Sequence, residues 1–367
     1  MSSRSALAVA PAAWSPEVGQ WVHASLFDLS LSAADRVTLG EGQTAQVPAP
    51  ALGARLGAGD LWLKREDQNP SGSHKARSLG LQASWRRARG GGPAVISSSG
   101  NAAVAAACYA AAAGLPVLVL VSPATPAVKL RQLGGLPGPV AVTPTPVALL
   151  RHAVRRFGCE DWRPSVHPLA AVAHRGLAAE LARLDPLDAV FLYASSGATV
   201  VGLAEGFQRL HAAGRLTRFP AIHVVQASTT NGLIRPWVPD LPAEMPSPIA
   251  DLGARRSRRA AAVHRLVDAS GGRGWHVDQP ALAAARADAA AFGVVTSWEG
   301  LAALAAVRAA ASQLGGRRVV AILTGHATQL DLRVEPAPET VARVDSPEAL
   351  DRLLRQAGWV PEAGDAR

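Results

Sequence analysis

The sequence predicts an α/β protein with two domains, each an open and mostly parallel sheet with helices on both faces. Three observations lead there. The chain has 367 residues, enough for about two domains. Apolar, β-branched segments alternate with Ala- and Leu-rich helical segments along most of its length. Several strand segments are apolar without interruption, as expected of strands covered on both faces. Hydrophobic residues make up 49% and aromatic residues 5%, so Ala, Leu and Val must fill the cores.

The elements follow in order. After an irregular N-terminal arm, residues 61–64 read as a short strand and 76–89 as a helix ended by Gly90-Gly91-Gly92. Residues 94–97 are an apolar strand, and 102–113 an Ala-rich helix stopped by Gly114. The Val-Leu-Val-Leu-Val run at 117–121 is a buried strand. The stretch 102–121 is long and apolar, but Gly114 and Pro116 divide it into helix, turn and strand, so no membrane span is expected. A helix near 126–133, a strand near 140–142 and a helix at about 146–157 complete the first half.

The second half repeats the theme: helix 177–184, strand 190–194, a loop of small residues, helix 201–213 and strand 222–226. Residues 236–274 read as irregular, with several prolines and an arginine cluster. Helices 282–292 and 300–314, the buried strand 319–323 and a C-terminal helix at 341–356 close the chain. A boundary near 186–190 separates the expected domains. Residues 1–188 form the first, with a mobile part at about 80–185; residues 189–335 form the second, and 336–367 a helical tail. A ligand between them is the expectation.

The formal net charge is +9 and the pI near 10.7. A basic surface suits nucleic acid. The arginines are scattered, however, apart from a cluster at 255–259 that reads as a solvated loop, and no aromatic residues interleave it. No nucleic-acid partner is expected; the field instead favours anionic small molecules. There are three lysines, Lys64, Lys75 and Lys129. Cys108 and Cys159 show neither metal-binding nor disulfide spacing, which points to a reducing cytoplasm and no metal. Residues 1–13 are too weakly apolar to read as a signal peptide.

In open α/β sheets ligands lie beyond the carboxyl ends of the strands. Four of those ends carry small, polar, donor-rich loops. After 61–64 comes Arg65-Glu66-Asp67-Gln68-Asn69-Pro70-Ser71-Gly72-Ser73-His74-Lys75. After 94–97 comes Ser98-Ser99-Gly100-Asn101, after 190–194 Ser195-Ser196-Gly197-Ala198-Thr199, and after 319–323 Thr324-Gly325-His326. Lys75 follows a tight turn at the start of a helix, where the positive end of the helix dipole disfavours its charge. A neutral amine is the nucleophile that an aldehyde cofactor requires. The turn at 195–199 opens a helix and can cradle a phosphate dianion. The turn at 98–101 can take a carboxylate or simply cap its helix.

These residues together resemble the fold-type II, tryptophan synthase β-like, pyridoxal phosphate enzymes, and most of all threonine synthase. The likeness runs in order from Leu39-Gly40-Glu41-Gly42-Gln43-Thr44 through the segment 64–75, Ser99-Gly100-Asn101 and the turn at 195–199 to Thr324-Gly325-His326. The resemblance implies a homodimer with pyridoxal 5′-phosphate attached as a Schiff base to Lys75, which would also shuttle protons. Asn101 would bond the cofactor's phenolic oxygen, and Ser195, Ser196, Gly197, Ala198 and Thr199 would hold its phosphate. Thr324 would meet the pyridine nitrogen, while Ser98, Ser99 and Gly100 would take the substrate carboxylate. A hydroxyl at that nitrogen tempers the electron sink, which suits elimination and replacement at a β or γ carbon.

The implied activity is that of a carbon–oxygen lyase acting on O-phosphohomoserine or a related amino acid with a leaving group. The alternative is β-elimination or β-replacement of a serine- or threonine-like substrate, dehydratase-like or ammonia-lyase-like. A non-catalytic basic binding protein is the rival from another class. Three positions depart from the threonine synthase pattern: His74 and Ala76 flank the lysine where Phe and Asp are usual, the phosphate turn is poorer in Gly, and Trp298-Glu299-Gly300 stands where relatives have Glu-Pro-Ser or similar.

Overall fold

Unbroken apolar runs become the inner strands of two sheets. The computed structural model describes residues 18–98, 100–125, 127–227, 232–241, 249, 257–327 and 341–361. Its strands are β1 (Gln46–Pro48), β2 (Asp60–Lys64), β3 (Ala94–Ser97), β4 (Val117–Val121), β5 (Val140–Val142), β6 (Glu160–Asp161), β7 (Ala189–Tyr193), β8 (Ala221–Gln226), β9 (Gly274–His276), β10 (Arg318–Ile322) and β11 (Ala342–Arg343). Its helices are α1 (Pro50–Leu56), α2 (Lys75–Ala88), α3 (Asn101–Ala113), α4 (Ala127–Gly134), α5 (Pro146–Phe157), α6 (Leu169–Val172), α7 (Arg175–Leu181), α8 (Ala198–Ala212), α9 (Ala260–Ala269), α10 (Gln279–Ala291), α11 (Trp298–Ala309) and α12 (Pro347–Gln356).

The larger sheet has strand order β1-β2-β10-β7-β8-β9, parallel except for β1 at its edge. The smaller is fully parallel, in the order β11-β5-β4-β3-β6. The sheets thus divide the chain differently from a cut near residue 188. β1 and β2 join the strands of the second half, and the C-terminal β11 returns to the smaller sheet.

Side chains alternate across each strand, and both faces are apolar. In β7, Ala189, Phe191 and Tyr193 pack into a core with α1, α10 and α11, while Val190 and Leu192 pack into a second core with α7, α8 and α9. The smaller sheet likewise has α3 on one side and α5 with α12 on the other. Three expectations are corrected. The span 236–274 contains α9, whose Val263, Leu266 and Val267 are buried. The N-terminal arm contains β1, α1 and a 3₁₀ helix (Gly19–Leu26). The span 341–356 begins with a strand before its helix. No helix among the described residues is long and apolar enough to cross a membrane.

Candidate active site

Parallel neighbours in one sheet end on the same edge, so the loops that follow them converge. Lys64 of β2 pairs with Ile322 of β10, and Ala321 pairs with Phe191 of β7. Their loops and the end of β3 surround a cavity of about 490 Å³. Lys75, Ser98, Gly100, Asn101, Ser195, Ser196, Gly197, Ala198, Thr199 and Thr324 all line it. Ser99 lies outside the described residues.

The turn before Lys75 is built for close docking. Gly72 has φ +74°, and its N–H donates to Asn69 O at 2.7 Å. The His326 N–H donates to Gly72 O, Ser73 forms an isolated antiparallel bridge with Gly325, and the His74 N–H donates to Thr324 O at 3.0 Å. His74 Nδ1 lies 2.9 Å from the same carbonyl oxygen, which can only accept, so Nδ1 carries the hydrogen. The histidine beside the lysine therefore ties the lysine turn to the end of β10. Burial, aided by the neighbouring Lys75 charge, pushes the His74 imidazole down to about 3, so it stays neutral.

Burial also pushes the Lys75 amine down to about 8. The Glu299 carboxylate opposes this and the Arg259 guanidinium adds to it. The amine therefore has a larger unprotonated fraction near neutral pH than an ordinary lysine, and that is the form that attacks an aldehyde.

Across the cavity, the chain turns at Gly197 (φ +76°) into α8. A Cβ there would lie 2.6 Å from Val263 Cγ2, so the position has neither the backbone freedom nor the space for a side chain. The first N–H groups of a helix have no intrahelical acceptor and point along the positive end of its dipole. Thr199 is anchored behind them. His174 Nε2 lies 3.3 Å from Thr199 Oγ1 and 3.1 Å from Ser78 Oγ on α2. Asn101, at the start of α3, reaches across to the β10 loop: a Cβ on Gly325 would sit 3.0 Å from Asn101 Nδ2.

Much of the sequence motif around the lysine does structural work. Lys64, Arg77, Glu66 and Glu180 are fully buried. Lys64 Nζ donates to Glu180 Oε2 at 2.6 Å, and Arg77 makes paired bonds to both Glu66 and Glu180. Two cations meet two anions, and Thr44 and Asn69 donate further hydrogen bonds to Glu66. The earlier Glu41 is also buried, accepting from Tyr109, Gln20 and Thr38.

Sequence reasoning missed several groups that line the cavity. Ser257 and Arg258 line it, and Ser257 Oγ donates to Ser196 O at 2.8 Å. Arg259 donates to the carbonyls of Pro164, Ser165 and His167, fastening this segment to the loop after β6. Part of the 255–259 cluster is thus site wall, not solvated loop; Arg255 and Arg256 lie outside the described residues. Arg151, Arg163 and Glu299 also line the cavity. Arg163 is held by Asp161 through paired hydrogen bonds. Arg151 and Arg163 carry no local motif; Glu299 stood out only as part of a departure from the threonine synthase pattern, and Ser257 and Arg258 only as part of the arginine cluster.

A cofactor with an aldehyde, a phosphate and a pyridine ring needs an amine, an anion cradle and a ring-nitrogen partner. The cavity supplies a partly neutralised amine, a helix start where a side chain would clash, and the buried Thr324. These residues fit pyridoxal phosphate.

Comparison with known proteins agrees. No curated protein sequence matches the chain. Among solved structures, it resembles O-ureido-L-serine synthase bound to O-ureido-L-serine, with 21% identity over 82% of this chain and 92% of that one, at a TM-score of 0.65. Maize serine racemase matches at 18% identity over 86% and 92% of the two chains, with a TM-score of 0.64. Threonine deaminase isoform 2 from Solanum lycopersicum matches at 17% over 85% and 91%, with a TM-score of 0.67. These likenesses establish the fold. The family model described as "Pyridoxal-phosphate dependent enzyme" matches residues 37–325. On that match, and with this fold, the chain belongs to the pyridoxal-phosphate dependent enzymes of fold type II.

Proposed function

We propose that the protein catalyses elimination or replacement at the β or γ carbon of a small amino acid, in the manner of threonine synthase. One observation carries this reading: Lys75, Asn101, the turn at 195–199 and Thr324 line a single cavity. When bound, pyridoxal phosphate supplies the electron sink for charge that develops at the substrate α carbon. The Lys75 amine anchors it and moves the α proton. Ser195, Ser196, Gly197, Ala198 and Thr199 hold the phosphate with backbone N–H groups and hydroxyls. The Asn101 carboxamide meets the phenolic oxygen, and the neutral Thr324 hydroxyl meets the pyridine nitrogen. Ser98, Ser99 and Gly100 orient the substrate through its carboxylate.

A phosphorylated substrate such as O-phosphohomoserine is favoured by the arginines at the cavity. Arg151 and Arg258 both line it, and Arg163 stands beside them with Asp161 as its partner. A guanidinium is well matched to a phosphate. The second reading is β-elimination or β-replacement on a serine- or threonine-like substrate. It draws support from neighbours named for O-ureido-L-serine, serine and threonine. We further read the protein as a cytoplasmic homodimer, on its cysteine usage and its resemblance to threonine synthase.

Purified protein should be yellow, absorbing at about 410–420 nm, and borohydride should fix the cofactor to Lys75. Lys75→Ala should lose both the colour and all turnover. O-phosphohomoserine should release inorganic phosphate. If serine or threonine instead gives a keto acid and phosphate release is absent, the second reading replaces the first. A colourless protein that cannot be charged with the cofactor would sink both.

A further inference from the structure

Every lysine of this chain is withdrawn from the surface, although arginines are plentiful there. Lys64 is fully buried in the ion network and Lys129 on α4 is 9% exposed. Lys75 is partly buried in the cavity. Among the described residues, Glu299 is the only carboxylate that lines that cavity. It stands in the first turn of α11, beside the β10 loop: Ser297 N–H and Thr296 Oγ1 both donate to Gly325 O, at 2.8 and 3.0 Å. Its Oε2 is buried and has no hydrogen-bond partner among the described residues. A buried carboxylate oxygen left unbonded is costly, and such a group calls for a reason, a role at the site being one of them.

The charged groups near it identify that role. Glu299 acts electrostatically on two amines, Lys75 from α2 and Lys129 from α4. The other groups facing Lys75 cannot do the same. His74 and His174 are buried and neutral, and Arg259 repels the ammonium. Arg151, Arg163 and Arg258 add only positive charge to the cavity wall.

We propose that Glu299 is a positioning residue for Lys75, whose carboxylate holds the ammonium form of the amine in the cavity and so sets the pH at which the amine becomes a free nucleophile. For catalysis this rests on the function proposed above. There, the same charge favours Lys75 as the acceptor of the substrate α proton, because the ammonium so formed faces an anion. Lys129 shares the carboxylate and moderates its pull.

The test uses the full-length chain with the cofactor displaced by hydroxylamine. Acetic anhydride labels its lysines between pH 6 and 10, and mass spectrometry reads each site separately, which three lysines make simple. Circular dichroism and thermal melting check that each protein is folded. In Glu299→Gln the Lys75 midpoint should fall by about one pH unit, with labelling at pH 7 up by roughly fivefold to tenfold. Glu299→Asp, which keeps the charge, should return most of the way to the native midpoint. Lys64, held by Glu180, should label equally slowly in all three proteins. A Lys75 midpoint in folded Glu299→Gln equal to that of the unaltered chain overturns the proposal. If no cofactor ever attaches to Lys75, the functional reading fails, while the labelling curve still decides for or against Glu299.

Discussion

His74 bonds Thr324 O twice, through its backbone N–H and through Nδ1, and so joins the lysine turn to the residue expected at the pyridine nitrogen. Its ring is buried and lies 5.7 Å from that of His174. His74→Leu keeps the backbone bond, removes the side-chain donor and adds an apolar group beside a buried carbonyl. The expected cost is about 1–3 kcal/mol of stability, with cofactor affinity down several-fold because Thr324 is no longer fixed. His74→Asn places an amide donor near the Nδ1 position and should recover most of both. Denaturant titration and cofactor titration read the two effects separately; equal affinities for all three proteins would show that Thr324 does not depend on this contact. The histidine was visible in the sequence only as a departure from a pattern. Its partner lies 250 residues away, and no local rule could supply it.

At the scale of elements, the four-member ion network decides how α2 sits on the larger sheet. Lys64 ends β2, Arg77 lies in the first turn of α2, Glu66 lies between them, and Glu180 comes from α7. Arg77→Met leaves Glu66 and Glu180 facing one cation in a buried site. Removing one partner of a buried pair costs about 3–5 kcal/mol, far more than removing an exposed one. The melting temperature should drop accordingly, whereas Arg163→Met, which breaks a pair that is partly exposed, should barely move it. Equal effects would mean that the network contributes no more than a surface bridge. The same contrast explains what could be read beforehand. The apolar strands β2, β3, β4, β5, β7, β8 and β10 and their order along the chain were legible because uninterrupted apolar runs are local, and so were the four loops; the short strands β1, β6, β9 and β11 carry no such run and were not. The membership of β1 and β2 in the sheet of the second half was not legible, because pairing is a contact between distant segments. Helix α9 was hidden because its short apolar stripe, Val263, Leu266 and Val267, directly follows an arginine cluster that dominates the composition there. Ser257, Arg258 and Glu299 reach the cavity from segments that carry no loop signature of their own.

For the whole molecule, the buried imidazoles make acid stability the sharpest global test. Burial, with neighbouring positive charge, holds His74 at about 3 and His223 at about 4, and holds His174 well below the usual range. In the unfolded chain each titrates near 6.5. Below that pH the unfolded state takes up protons that the folded state refuses, so stability is fully present above about 6.5 and is lost as pH falls toward the folded values. Glu41 works the other way. Its burial raises its affinity for a proton, so it offsets part of that loss. His74 and His223 alone leave a difference of between about one and two protons from pH 6 to 5, or roughly 2 kcal/mol per pH unit, and His174 adds to it. Below pH 4.5, Glu66, held far below its usual range against its desolvation cost by Arg77, adds a further loss in the same direction. Against a typical total of about 5–15 kcal/mol, such a slope should remove a large share of the stability by pH 5. Urea midpoints measured at pH 8, 7, 6 and 5 provide the check: nearly flat from 8 to 7, then falling steeply. A midpoint unchanged down to pH 5 would mean that these histidines gain solvent or charged partners in solution, and with that the neutral His74 contact to Thr324 would lose its basis.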